Sequence, residues 1–503
     1  MRDLESLKRE AKTLHKAYDA GDRQAQLQVA QFLGDKRDLK HADFLHVIAR
    51  GRGFESWPKL KVASEAQGLG RAEAQERLKA ALFHGQKIWV DRLLTQFPDL
   101  AEGRIDLACA LYDVAMVRSM LEKDPEAATR PVGPRPPLLH VTFSHYHRWA
   151  PDKAADALAV ANLLLACGAD VNAGFAAEPD TDHQLSALYG ALGHSIHLDL
   201  AEWLLEQGAT PNDNECLYHA CEQRDLRALR MVLAHGAQTQ GTNALYRAMD
   251  FDDVAAVEML LDAGADPNEG IVAHPSGPAV VGLSALHHAA QRMCGRQMFE
   301  LLIARGARMD VMRDGLSAFA VAQIYGNRAG ADALAEAGAP TDMPESVSAL
   351  VTGHGPLDPA KLPDALRPLA TELAMLEGAL PRVKELVGAG LEWDRPDHTG
   401  LTPVQAAGWQ GDPEMMGYFL SLKPDLSHIN GYGGTLLSTI IHGSENALND
   451  RPRDHIACLE LALREGVALP KPAIRTAGRE DVVAFLEAWG EAYPGQVVEH
   501  GIA

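Results

Sequence analysis

The stretch VEMLLDAGADPN (257–268) decides the fold. Val257, Leu260 and Leu261 fall at helical spacing and form one apolar stripe. Gly264 supplies the left-handed conformation that ends a helix, and Asp266 and Pro267 turn the chain aside. The phrase recurs as ANLLLACGADVN (161–172), AEWLLEQGATPN (201–212), LRMVLAHGAQ (229–238), FELLIARGARMD (299–310) and ADALAEAGAPTD (331–342). Weaker copies follow at VKELVGAGLEWD (383–394) and LELALREGVALP (459–470). Such self-similarity marks a repeat architecture, in which each unit buries its apolar face on its neighbours.

A second, shorter helix lies about 21 residues ahead of each such glycine: LSALYGAL (185–192), ECLYHACE (215–222), NALYRAMD (243–250), LSALHHAA (283–290), LSAFAVAQ (316–323) and LTPVQAAG (401–408). A Ser, Thr, Asn or Glu at its start can cap the free amides, and Pro403 suits a first turn. Small residues such as Ala289 and Ala290 let a neighbouring helix approach closely. The combined unit resembles the ankyrin repeat, with its T-P-L-H-x-A-A inner helix, an outer helix and G-A-D-x-N. LTPVQAA (401–407) carries the opening best, and 168–172 and 264–268 the ending. The inner-helix His persists at His140 and His287 but is Tyr at 189, 218 and 246, so its loop hydrogen bonds must differ there. The resemblance spans roughly residues 75 to 490 and implies an all-α ankyrin-repeat solenoid of stacked helix-turn-helix units.

The array is expected over 75–342, its first two repeats degenerate (75–101 and 104–130). A Pro/Gly-rich interruption follows at 343–368, as a hinge or a degenerate repeat. C-terminal ankyrin-like repeats and a cap occupy 369–490, and a loose tail 491–503. Residues 1–63 form a small N-terminal helical segment. Its LKREAK (7–12) and GFESWPKLK (53–61) look like the segment that often precedes ankyrin arrays in bacterial proteins, which suggests a bacterial source. Phe54 and Trp57 are expected to pack on the first repeat.

The bulk composition of the 503 residues fits a folded helical protein: 47% hydrophobic, 23% charged and 6% aromatic. A net charge of -21 repels phosphate backbones, so nucleic acid is not an expected partner, whereas a basic protein is. The opening MRDLESLKRE has no apolar signal region, and the longest apolar stretch, 157–169, is too short to span a bilayer. Six scattered cysteines without a CxxC suit a reducing compartment, so the expected location is the cytoplasm. No GxxxxGK[ST], GxSxG or HExxH is present, and GYGG (431–434) reads as a loop rather than a dinucleotide fingerprint. His140 and His147 would lie about 10 Å apart on a helix, too far to share a metal. No catalytic residues, metal or cofactor are expected.

The repeat glycines 168, 208, 236, 264, 306 and 338 are separated by 40, 28, 28, 42 and 32 residues, against a family period of about 33. The two short repeats should lack the β-hairpin finger. Residues 173–184 and 269–282 should project on the finger side; 145–157 and 442–454 should emerge on the opposite edge. What the resemblance implies for the concave face is a stripe of the two residues after each inner Ala-Ala position. It runs through Ser144/His145, Gly193/His194, Glu222/Gln223, Asp250/Phe251, Gln291/Arg292, Ile324/Tyr325, Leu376/Glu377 and Trp409/Gln410. The binding candidates are Glu222, Gln223, Asp250, Phe251, Gln291, Arg292, Ile324, Tyr325, Trp409 and Gln410, the three aromatics as anchors. Glu222, Gln223, Asp250 and Phe251 should floor an acidic recess walled by the two long loops. The expected function is a protein-binding scaffold. An effector or toxin-neutralising protein on the same repeat is the alternative, and an enzyme with no visible motif the residual one.

Overall fold

The computed structural model describes residues 4–34, 36, 39, 41–177, 183–223, 225–274, 279, 280, 282–352, 362–447 and 452–499. It divides into two compact units, residues 61–311 on the one hand and residues 2–60 with 312–503 on the other.

In the first unit, short inner helices alternate with longer outer ones. The inner series runs Ile105–Ala110, Pro137–Thr142, Ala187–Tyr189 with its continuation Gly190–His194, Cys216–Ala220, Ala244–Asp250 and Ala285–Gln291, each unit packing on the next. The outer series includes Ala154–Ala166, Leu198–Glu206, Arg227–Ala234, Val254–Asp262 and Arg296–Ala304. Inner helices start as their sequences require: the Ser186 and Ser284 side chains accept the amides of Tyr189 and His287. Ala285, Ala289 and Ala290 are fully buried, which is what close helix approach needs. Outer helices stop at the glycines. Gly264 has φ +97°, and the following Ala265 amide donates to Leu260 O at 2.9 Å. The same bond joins Ala169 to Leu164, Ala209 to Leu204, Ala237 to Val232 and Ala307 to Leu302. Beyond the glycines, amide side chains tie one loop to the next. Asn172 Oδ1 accepts from Thr210 N, Asn212 Oδ1 from Gln238 N, and Asn268 Oδ1 from Arg308 N, each at 2.8 Å.

The two long loops begin and end as β-fingers. Gly174–Ala176 pairs antiparallel with Gln184–Ser186, and an isolated bridge joins Ile271 to Val280. Residues 178–182, 275–278 and 281 lie outside the described residues. No strand is described between Gly208 and Gly264, the stretch whose spacing left no room for one.

In the second unit the inner helices are Ala318–Tyr325, Leu369–Ala374, Pro403–Gln410 and Leu436–Asn446. Pro403 occupies the first turn of its helix, inside a capping box made by Thr402 and Gln405. The interruption contains a helix, Glu345–Thr352, packed on the helices Ala318–Tyr325 and Leu380–Ala389. Residues 353–361 lie outside the described residues, and the division into units falls at 311/312 rather than here. The N-terminal helices Leu4–Asp19, Arg23–Leu33 and His41–Gly51 enclose their own core. Trp57 is buried in it with Leu7, Phe44 and Ile48, and Phe54 packs against it. The expected seat of Trp57 and Phe54 on the first repeat is therefore corrected: three helices and the start of a fourth supply enough apolar surface to take both rings. These helices also meet the far end of the chain. Helix His41–Gly51 contacts the final helix Glu480–Ala492, and Lys8 Nζ lies 3.4 Å from Glu487 Oε1. The expected loose tail is tied down as far as residue 499. Val497–Val498 pairs parallel with Leu469–Pro470, and Gln496 Nε2 donates to Leu463 O and Val467 O.

Candidate functional site

The inner helices of the short repeats carry a continuous chain of charged and aromatic side chains. Helical spacing builds it, because residues three or four apart share a face. Glu215 and Glu222 flank His219 on and beside helix Cys216–Ala220: His219 Nε2 lies 2.9 Å from Glu215 and Nδ1 2.9 Å from Glu222. His183, at the foot of the first finger, reaches the other Glu215 oxygen at 2.8 Å. On the next inner helix, Arg247 donates to Glu222 at 2.7 Å and to Asp250 at 3.1 Å. On the helix after that, His288 Nε2 lies 2.9 Å from Asp250, and Arg292 Nε donates to the same carboxylate oxygen at 2.8 Å. The Arg247 guanidinium also sits 5.2 Å from the Tyr218 ring and 5.0 Å from the Phe251 ring. Flat guanidinium on aromatic faces is favourable.

The network sets its own protonation. Burial opposes a charged His219, but its hydrogen bonds to Glu215 and Glu222 outweigh that and push it up to about 9. Burial would raise Asp250, yet Arg292, His288 and Arg247 hold it well below the usual carboxylate range. His288 is pushed down by burial, with Asp250 only partly compensating. Three carboxylates, Glu215, Glu222 and Asp250, thus face three cations, Arg247, Arg292 and protonated His219. The expected acidic floor is corrected on this ground: its charge is balanced from within.

The structure brings Glu222, Gln223, Asp250, Phe251, Gln291 and Arg292 onto one surface. Gln223 is half-buried and donates Nε2 to Leu192 O at 2.9 Å. Phe251 and Gln291 are half-buried, and the Arg292 side chain is 44% exposed. The long loops do not stand clear of the recess. His274, from the second loop, stacks on Tyr218 at 4.7 Å, and its Nε2 lies 2.5 Å from Asn214 O. At Tyr246, one of the Tyr residues in the usual His position, the bond differs, as expected. The Tyr246 hydroxyl donates to Glu269 O at 2.5 Å, whereas His287 keeps a side-chain bond to Ser284 at 2.7 Å.

The remaining candidates sit in the other unit, and three of them are not surface anchors. Ile324 and Tyr325 are buried, and the Tyr325 hydroxyl donates to Glu372. Gln410 is buried under Arg453, which donates to its backbone oxygen at 2.9 Å. These three are corrected: at these repeats the two positions after the Ala-Ala pair face the next helix pair, not solvent. Trp409 is half-buried against His442, with ring centroids 5.2 Å apart. Sequence reasoning missed Glu215, His219, Arg247 and His288. The signal was present, since His219, Arg247 and His288 stand three, three and four residues before Glu222, Asp250 and Arg292.

Among the described residues, no group of three or more His, Cys, Asp or Glu side chains is arranged to hold a metal ion. No helix there is long and apolar enough to cross a membrane. All six cysteines are free thiols.

The charged chain lies within residues 188–270 and their flanks. Residues 188–270 match the family model described as ankyrin repeats (3 copies). No curated protein matches the chain. Among solved structures, an ankyrin repeat domain from Acinetobacter baumannii AYE is 25% identical, with a TM-score of 0.31, over 39% of this chain and 99% of that one. The ankyrin repeat domain of human ASB11 is 20% identical, with a TM-score of 0.22, over 49% of this chain and 96% of that one. This chain therefore contains ankyrin repeats, units that generally mediate protein–protein interaction and typically carry no enzymatic activity.

Proposed function

We propose that the protein is a binding scaffold whose partner docks on the inner-helix surface around Phe251, Gln291 and Arg292. The observation that carries this reading is the buried charge network beneath that surface. It fixes Phe251 and Arg292 in place before any partner arrives, and preorganised anchors lose little entropy on binding. Arg292 shares Asp250 with Arg247 and His288, so its outward donors remain for a carboxylate or amide of the partner. The balanced floor gives no preference for a basic segment at this surface. Six free thiols and the acidic charge suit a cytoplasmic setting. A toxin-neutralising or effector role would be a narrower form of the same reading.

Affinity capture with mass spectrometry supplies the partner, and calorimetry then tests the surface. Arg292→Glu and Phe251→Ala should each weaken binding at least about tenfold, or about 1.4 kcal/mol, as truncated interface anchors do. Phe251→Ala should keep a melting temperature close to the parent's, whereas Arg292→Glu, which sets a second carboxylate beside Asp250, should lower it. Unchanged affinity in both variants moves the site elsewhere.

A further inference from the structure

The GYGG turn that reads as a mere loop in the sequence presents the most exposed aromatic among the large hydrophobic side chains described, Tyr432, 80% exposed. The turn is built to hold it. Asn430 is buried, and its Oδ1 accepts the amides of Tyr432 at 3.1 Å and Gly434 at 2.9 Å. Gly431 N donates to Thr399 O at 2.8 Å, and a Cβ on Gly431 would lie 2.4 Å from that oxygen. Only glycine allows the two turns to approach so closely. Ile429, two residues before the glycine, is also exposed, at 44%. Held on one turn, the two side chains offer a partner an apolar contact beside a polar cleft.

A cleft of about 190 Å³ lies in the same pair of loops. Trp393, Pro396, Pro424 and His428 line it, together with the exposed carboxylates Asp394 and Asp425. His428 is fixed by a 2.7 Å contact from Nε2 to Gly400 O. Neither Asp394 nor Asp425 forms an ion pair among the described residues, although most nearby charges do: Arg395 pairs with Glu392, and Lys423 with Glu465. The Asp425 Oδ1 accepts from Ser427 N and Oγ, which orients the carboxylate.

We propose that this cleft and the Tyr432 turn form a second docking surface, which takes an arginine side chain of a protein partner. The guanidinium lies on the Trp393 indole and donates to Asp394 and Asp425, while Ile429 and Tyr432 pack on apolar neighbours of that arginine. Charge complementarity selects the occupant: an indole face flanked by two unpaired carboxylates attracts a planar cation and repels phosphate. The apolar turn outside the cleft selects a peptide over a small free cation. This surface belongs to residues 393–432 and is independent of Phe251 and Arg292.

The test uses the full chain and three capped peptides, acetyl-Leu-Arg-Leu-amide and its citrulline and glutamate counterparts, titrated by ligand-observed NMR at low salt. The arginine peptide should bind at least tenfold more tightly than the citrulline peptide, which keeps the shape and loses the charge. Asp394→Asn with Asp425→Asn should weaken it about tenfold, and Tyr432→Ala about threefold. These three residues are exposed, so both variants should keep the parent's melting curve. Arg292→Glu should leave the affinity unchanged, which separates this surface from the one proposed above. Equal binding of arginine and citrulline peptides, or full affinity in the double asparagine variant, overturns the proposal.

Discussion

Asp250 accepts from Arg247, Arg292 and His288 while only 15% of its side chain reaches water. Asp250→Lys would take this acceptor from Arg292 and His288, leave Arg247 with Glu222 alone, and add a new cation beside them. Breaking a buried ion pair from one side costs about 3–5 kcal/mol, so this variant should unfold at markedly lower urea, with or without a partner. It therefore reports on stability and not on binding; Phe251→Ala, which removes no ion pair, is the cleaner probe. Ile196 poses the opposite case. It sits at φ +58° between an inner and an outer helix and is 46% exposed. Gly326 and Gly411 take the matching place in other repeats, at φ +81° and +63°. A β-branched residue there is strained by about 1 kcal/mol or more. Ile196→Gly should raise stability by roughly 1 kcal/mol in urea titration, less the entropy that glycine adds to the unfolded chain. Destabilisation instead would show that the isoleucine side chain makes up for its backbone. At this scale the sequence offered a stripe of inner-face positions, of which Ile324, Tyr325 and Gln410 are buried, and it did not offer their partners. Asp250 read as a free acid because His288 and Arg292 belong to it only through folding, and because Arg247, three residues before it on the same helix face, was passed over.

At the scale of the element, the helices around 137–200 bury several imidazoles together. His145 and His194 rings are 4.9 Å apart, and His147 and His197 rings 4.5 Å. Burial pushes His140, His145, His147 and His194 down to about 4. Secondary causes add to it, among them Arg135 beside His140, His194 beside His145, and His197 beside His147. Their folded proton affinity is below the unfolded value near 6.5, so the unfolded chain binds more protons in that window. Stability is complete above about pH 6.5 and is lost as pH falls toward 4. Hydrogen exchange at pH 5 should loosen 137–200 well before 403–463; equal loosening would show that these histidines titrate freely. His219 acts the other way. Raised to about 9, its contribution is full below pH 6.5 and is lost as pH rises through 9. The helices themselves were legible in the sequence, from apolar spacing and terminal glycines. Glu345–Thr352 was not, because Pro and Gly on both sides masked the short apolar run of Val347 and Leu350.

The largest departure from a linear reading concerns the whole molecule. A repeat array read along the chain places residues 1–63 ahead of the first repeat. Yet the N-terminal helices belong with 312–503, and Lys8 meets Glu487 across 479 positions of sequence. Local patterns cannot show such a contact, because nothing in either helix encodes the separation. Lys8 and Glu487 side chains are only 15% and 11% exposed, and Lys12 Nζ donates to Glu491 O at 3.2 Å beside them. A like-charge pair placed there would be poorly screened by water. Lys8→Glu should therefore destabilise the second unit by about 1–3 kcal/mol and speed hydrogen exchange in both 4–19 and 480–492. Adding Glu487→Lys restores an opposite-charge pair in reversed orientation and should recover most of the loss, a coupling that only residues in contact show. If the double variant is as unstable as the sum of the two single ones, the ends of the chain do not meet. If it recovers, the N-terminal helices are the cap of the C-terminal repeats.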